Sequence, residues 1–306
     1  MKPLGVLPLY KPKGMTSHDC VMKARRWFKT KQVGHTGTLD PDVTGVLPLC
    51  IGRATKVANM ISGLEKKYSA TVTIGTATTT EDASGEIVQE EKVDKTLNHD
   101  QVDSALVAFQ GTITQVPPYY SAVKVKGKRL YEYAREGLEV ERPEREVTIF
   151  TCERTSELSF ADNGTASFDI DIHCSKGTYV RTVAVDIGAK LGYPAHMSAL
   201  VRTAAGPFTT SDCISYDKME ELQRAEEAYT HLFTIQEALP DIAHVEVDQG
   251  TAQKIMHGAV LERFAGLESS PVLFLYKGQP LALYMEDVKR MNALKPQAML
   301  ALELPS

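Results

Sequence analysis

Polar and apolar residues alternate most regularly from Lys67 onward: Tyr68, Ala70, Val72 and Ile74 fall on one face, Ser69, Thr71 and Thr73 on the other. Successive side chains of a strand leave opposite faces, so a period of two predicts a half-buried strand here. The same period returns at Ala166, Phe168, Ile170 and Ile172, after an Asp162-Asn163-Gly164 turn that predicts a strand pair. Helical spacing takes over elsewhere. Cys20, Val21, Ala24, Trp27 and Phe28 form one stripe of a helix capped at Ser17 and running to Phe28, leaving Lys23, Arg25, Arg26 and Lys29 on its other faces. Val102, Ala105, Leu106 and Phe109 predict a helix over 98–110, with Gly111 at its end. Val180, Ala184, Ile187 and Leu191 predict another, opened by Ser175-Lys176-Gly177-Thr178 and closed by Gly192. A shorter helix is expected from Thr55 to Ile61, ending near Gly63.

The intervening segments carry turn chemistry. Gly5-Val6-Leu7-Pro8-Leu9 reads as a short strand entering a Lys11-Pro12-Lys13-Gly14 turn. Residues 34–45, with Pro41 and repeated Gly-Thr steps, read as a loop. Gln115-Val116-Pro117-Pro118-Tyr119-Tyr120-Ser121 excludes helix, and Lys124, Lys126, Lys128 and Arg129 follow around Gly127. Beyond about residue 239 the pattern breaks into short strand-like pieces with turns at Gly258, Gly266 and Gly278, which predicts a small second domain. The whole reads as an α/β chain.

Composition narrows the class. With 306 residues, 43% hydrophobic and 24% charged, the chain can bury a full core and form two domains. The N-terminal MKPLGVLPLYKPKG has too short an apolar run for a signal peptide or a membrane span. Cys20, Cys50, Cys152, Cys174 and Cys213 are scattered without a CxxC pair, which fits a reducing cytosol and no structural zinc. Charge is uneven. The net value is −5, yet the first 70 residues hold 12 Lys/Arg against 4 Asp/Glu. Residues 212–248 are rich in acid and are expected to face away from any anion that the N-terminal part attracts.

Within that basic part lies Gly34-His35-Thr36-Gly37-Thr38-Leu39-Asp40-Pro41, a carboxylate between glycines and a proline. A positive surface with one aspartate inside it suggests a polyanionic ligand brought to a reactive acid. Taken alone, the loop leaves alternatives open. Asp40 suits an Asx-turn or a helix cap. The glycines suggest a phosphate cradle, but GxxxxGK[ST] is absent. Asp40 and Asp42 sit at most about 7 Å apart, within reach of a glycosidase acid pair, yet surrounding cations lower the pKa that a general acid needs raised. His35 lacks a second His or Cys at zinc-ligand spacing.

Taken together, KPKGMTSHD, GHTGTLDPDVTGVLPL, EKKYSATVTIG, QVPPYYSAVKVKGKRLYEYAREG and CSKGTYVRTVAVDIG resemble, in order and over nearly all of residues 1–205, the bacterial tRNA pseudouridine-55 synthases, the TruB family. The tail is similar to their short PUA-like domain. The resemblance implies a pseudouridine synthase fold, α+β, with a mixed, largely antiparallel central sheet. It implies a catalytic domain at 1–238 with an RNA-clamping insertion at about 112–145, and a β-rich PUA-like RNA-binding domain at 239–306. The implied activity is isomerisation of uridine 55 in the tRNA T-loop. It proceeds by base flipping, C–N cleavage and C–C glycosidic bond formation, without cofactor or metal. Asp40 matches the family's essential aspartate, Arg181 the active-site arginine that aims it, and Tyr68 the tyrosine that stacks on the target base. Tyr179 and Leu200 match base-pocket positions, and His35 the histidine that fills the space left by flipped nucleotides. Lys11, Lys13, Lys124, Lys126, Lys128 and Arg129 are candidate phosphate contacts. Thr38 stands where many relatives have alanine. The expected setting is cytoplasmic, with the tRNA T-arm as partner and a monomer needing no membrane or protein partner. The alternatives are an RNA chaperone for the tRNA elbow, a guide-dependent synthase subunit and, distantly, a sugar hydrolase.

Overall fold

A computed structural model describes residues 4–263 and 270–304, and Gly266 lies outside them. The chain divides into two compact units, residues 1–63 with 205–306 and residues 64–204.

In the first unit, strand Leu4–Lys11 runs antiparallel to Thr44–Gly52, from Leu4 opposite Gly52 to Lys11 opposite Gly45. Val33–His35 pairs with the same Thr44–Gly52 strand, and Ile214–Ser215 adds a short parallel neighbour to Leu4–Lys11. Val6, Leu7, Leu9, Val46, Leu47 and Leu49 are fully buried, so both faces of this strand pair are covered, and helix Ser17–Trp27 packs against Thr44–Gly52. That helix is capped by Thr16, not by Ser17 as the sequence suggests. Thr16 has extended backbone and its hydroxyl accepts from Asp19 N–H at 3.0 Å, while Asp19 accepts from Thr16 N–H at 2.9 Å. This reciprocal pair satisfies two otherwise orphaned amides. Ser17 is left inside the first turn and free to point elsewhere. Helix Tyr216–Arg224 packs on it: Trp27 Nε1 donates to Glu220 at 2.9 Å, and Lys23 Nζ stands 5.1 Å above the Tyr216 ring and 3.9 Å from Glu220. Part of the acid-rich segment thus packs on the basic helix and offsets charge at Lys23. Further along, Ala243–Glu246, Val272–Tyr276, Gln279–Glu286, Ala293–Met299 and Leu261–Glu262 make a five-stranded sheet in that order, with its own core around Phe274, Leu281 and Tyr284.

The second unit is built on the alternating strands. Lys66–Ile74 pairs antiparallel with Ala166–Cys174, Lys66 opposite Cys174 and Ile74 opposite Ala166. Arg145–Arg154 pairs with the other side of Ala166–Cys174, and Gly111–Gln115 follows as the next strand. Ala195–Ala205 neighbours Lys66–Ile74 on the opposite flank. Ala70, Val72, Ile74, Phe168, Ile170 and Ile172 turn one face into the core under helices Val180–Leu191 and His99–Val107. The other face is polar, with Thr71 Oγ1 donating to Asp169 at 2.6 Å and Thr73 Oγ1 to Ser198 at 2.8 Å. Gly188 is where helix 180–191 meets the next strand: a Cβ there would stand 2.2 Å from that of Ala195. After Gln115 the chain passes through Pro117-Pro118 into a small hairpin, Lys124–Val125 with Lys128–Arg129, turning on Lys126 and Gly127 at positive φ. Helix Leu130–Arg135 completes this segment.

Candidate active site

The first unit holds the aspartate loop, residues 36–43, which is pinned at every second or third residue. Thr36 is buried and both its N–H and hydroxyl donate to Pro48 O, at 3.1 and 3.2 Å. Leu39 is buried; its N–H donates to Ser17 Oγ at 2.8 Å and its carbonyl accepts from the same hydroxyl at 3.2 Å. Pro41 O accepts from Gly14 N–H at 2.9 Å and from Lys11 Nζ at 3.0 Å. Asp40 lies half-buried between the anchored Leu39 and Pro41, its carbonyl receiving Val43 N–H at 3.1 Å. His35 is half-buried at the end of its strand, Nδ1 accepting from Gly37 N–H at 3.3 Å. Such bonds hold backbone on both sides of the carboxylate, which restricts where the side chain can reach.

Lys11 departs from expectation. It was expected to bind phosphate, but it is fully buried and its ammonium donates to Pro12 O, Met15 O and Pro41 O at 3.0, 2.6 and 3.0 Å. Those carbonyls come from the turn after the first strand and from the aspartate loop. Lys11 ties the first turn to the aspartate loop. Lys13, two residues on, is exposed.

The second unit holds the other candidates. Arg181 is 5% exposed in the first turn of helix 180–191. Its guanidinium donates to Thr80 O at 3.0 Å and Tyr120 O at 2.9 Å, and lies 3.5 Å from Asp82 Oδ2. Asp82 is held in turn: its Oδ1 accepts from Thr80 Oγ1 at 2.7 Å, Ser84 N–H at 3.0 Å and Ser84 Oγ at 2.5 Å. Between these two partners of the arginine stands Glu81, at positive φ, accepting from Thr182 Oγ1 at 2.8 Å. Burial raises the Glu81 carboxyl, and burial together with the Glu81 charge pushes nearby Asp186 up to about 6. Tyr68 is half-buried, opposite Ile172 in register and packed against the core. Two residues earlier, burial and the neighbouring Arg202 lower the Lys66 ammonium to about 8. Tyr179 is the residue before helix 180–191, half-buried, with the Arg145 guanidinium 4.8 Å over its ring. Leu200 is half-buried against the same core as Tyr68.

In the inserted segment Lys124, Lys126 and Arg129 are exposed. Lys128 is less available: it pairs with Glu136 and stands 4.9 Å above the Tyr133 ring. Arg129 lies 5.9 Å above the Tyr131 ring, and Arg142 4.3 Å above that of Tyr119. Two residues that matter to this geometry, Asp82 and Gln115, escape a reading of the sequence. The hydroxyl-rich Thr80-Glu81-Asp82-Ala83-Ser84 run signals a tight turn, but not its arginine a hundred residues away. Among the described residues no group of three His, Cys, Asp or Glu could hold a metal ion, and no helix is long and apolar enough to cross a membrane.

The architecture is shared across almost the whole chain with two solved structures. One is a "Structure of H/ACA RNP bound to a substrate RNA containing 2'-deoxyuridine", at TM-score 0.70 and 21% identity over 97% of this chain and 85% of that one. The other is a "Crystal Structure of a Cbf5-Nop10-Gar1 Complex", at 0.69 and 23% over 97% and 84%. Residues 25–180 match the family described as TruB family pseudouridylate synthase (N terminal domain), so the chain has the fold of a pseudouridylate synthase, an isomerase. Residues 181–239 match the tRNA pseudouridylate synthase B C-terminal domain. Among curated relatives, the tRNA pseudouridine synthase B of Bacillus pumilus is 50% identical over 97% of both chains. That of Halalkalibacterium halodurans is 52% identical over 97% of both, and that of Shouchella clausii 50% over 98% of this chain and 99% of its own. The chain belongs to the TruB family of pseudouridylate synthases.

Proposed function

We propose that this chain converts uridine 55 in the T-loop of tRNA to pseudouridine, acting alone on the free RNA. The relatives' shared name supports tRNA as the substrate. The reaction breaks the bond from N1 to C1′, turns the freed uracil and joins C5 to C1′. C5 loses a proton and N1 gains one, so product and substrate are isomers and no cofactor is consumed. Asp40 is the reactive carboxylate, Arg181 aims it, Tyr68 stacks on the flipped base, and Tyr179 and Leu200 line its pocket. His35 occupies the space left by displaced nucleotides.

The energies set what else is required. Extruding a nucleotide costs a few kcal/mol, and stacking on one aromatic ring returns about 1–3 kcal/mol, so Tyr68 alone roughly balances the flip. Phosphate contacts must supply the affinity. Exposed Lys13, Lys124, Lys126 and Arg129 are suited to that, while Lys11 and Lys128 are engaged within the protein. The residues 112–145 act as an RNA clamp and residues 239–306 as a PUA-like RNA-binding domain.

The observation that carries the reading is the aspartate loop, whose anchors at Ser17, Lys11 and Pro48 fix the backbone on both sides of Asp40 in a TruB-family chain. The test is to incubate the purified protein alone with an unmodified tRNA transcript and map pseudouridine by sequence. Modification at position 55 is expected; modification elsewhere, or only with an added guide RNA, overturns the proposal.

A further inference from the structure

Gln115 ends strand Gly111–Gln115 and is 1% exposed. Its side-chain amide is used twice on a single residue: Oε1 accepts from Tyr179 N–H at 2.7 Å, and Nε2 donates to Tyr179 O at 3.0 Å. This is the pairing of one strand residue with another, made by a side chain. Tyr179 needs it because its position is irregular. It precedes helix 180–191 with extended φ and ψ of −95° and 107°, and makes no side-chain cap of its own. Its carbonyl also receives Val183 N–H at 3.1 Å, so both lone pairs of that oxygen are engaged. The residue opposite Gln115 in the strand pairing is Arg145, and it is the Arg145 guanidinium that lies over the Tyr179 ring. One cross-strand pair thus grips both the backbone and the ring of a single tyrosine. Five residues past Gln115, Tyr120 O takes an N–H from Arg181, so the 115–120 segment is fastened to helix 180–191 at both ends.

We propose that Gln115 is a positioning residue for the synthase reaction: it fixes the backbone of Tyr179 so that the phenol ring meets the flipped uracil in one orientation. The inference rests on Tyr179 being a base-pocket residue. Gln115 is buried and does not itself touch substrate. Glutamine is specific to the task. Glutamate would still accept from Tyr179 N–H but would set its second oxygen against Tyr179 O, and asparagine is one methylene, about 1.5 Å, too short to reach both groups.

The test compares Gln115→Met, Gln115→Glu, Tyr179→Ala and the Gln115→Met/Tyr179→Ala double variant. Single-turnover pseudouridine formation is followed with enzyme in excess over a tRNA transcript, beside filter binding and thermal melts. Gln115→Met is expected to slow the chemical step roughly 10- to 100-fold, the scale of an angstrom-sized misplacement, and to leave tRNA affinity within about twofold. Gln115→Glu should fall with it, and is read in its place should the methionine variant not fold. In the Tyr179→Ala background the ring is gone, so adding Gln115→Met should cost no further rate although the losses in melting temperature still add. Equal rate losses in both backgrounds, or a Gln115→Met enzyme at wild-type rate beside a slowed Tyr179→Ala enzyme, overturn the inference alone. A Tyr179→Ala enzyme at wild-type rate overturns the base-pocket reading and the inference with it.

Discussion

Buried Lys11 and exposed Lys13 divide, two residues apart, the two uses of a lysine. Removing Lys11 strips a hydrogen bond from each of the carbonyls of Pro12, Met15 and Pro41, a loss of about 1–3 kcal/mol for any left unsatisfied away from water. Lys11→Met is therefore expected to lower the melting temperature clearly and to leave the salt dependence of tRNA binding unchanged. Lys13→Gln should do the reverse, leaving stability intact while making the slope of log affinity against log salt shallower by about 1. A Lys11→Met enzyme of normal stability but shallower slope would restore Lys11 to the phosphate contacts. The distinction was invisible in the sequence, where both lysines flank Pro12 and read as one basic turn. Burial of a lysine depends on acceptors brought from elsewhere, here Pro41 O thirty residues away. The cap read at Ser17 lies instead at Thr16 for a related reason. Either suits a helix cap locally, and only the Leu39 loop, which claims the Ser17 hydroxyl, decides between them. Asp40 stood out in the sequence through its motif, whereas the anchors of its neighbours, at Ser17, Gly14 and Lys11, could not be read there because they lie more than twenty residues away.

At the scale of elements, period-two strands and the helix closed by Gly192 could be read directly, since burial on one face imposes the pattern. Helix 180–191 also carries a pH-dependent penalty that no pattern announces. Unfolded, Asp186 titrates near 3.8; folded, burial and Glu81 raise it to about 6. Between these values the folded chain holds a proton that the unfolded chain has released. Stability is therefore free of the penalty at low pH and falls as pH rises toward 6, above which the penalty is complete. Asp186→Asn should raise the melting temperature at about pH 7 and change it little near pH 4, as thermal melts across that range would reveal. Equal effects at both pH values would refute the assignment. The 112–145 segment makes its own prediction. Lys124 and Lys126 are exposed beside the Gly127 turn, and neither makes an ion pair among those of the described residues. Lys124→Gln with Lys126→Gln is expected to weaken tRNA binding and make the salt slope shallower by about 2, with an unchanged rate at saturating tRNA. A slowed saturated rate with normal affinity would instead place these lysines in the chemistry.

For the molecule as a whole, the uneven charge along the chain matters more than its net value of −5. A polyanion is drawn by local potential, and the acid-rich helix 216–224 trims that potential at Lys23 while leaving Lys13 and the inserted lysines exposed. On the function proposed above, binding is spread over many weak, salt-sensitive contacts and chemistry rests on one side chain. That separation gives the most direct measurement of the central claim. Asp40→Asn keeps size and loop anchors but removes the charge, and it should be assayed for both tRNA affinity and single-turnover pseudouridine formation at position 55. The expected result is affinity within a few-fold of wild type with no detectable pseudouridine; an Asp40→Asn protein that forms pseudouridine at the wild-type rate would contradict the account.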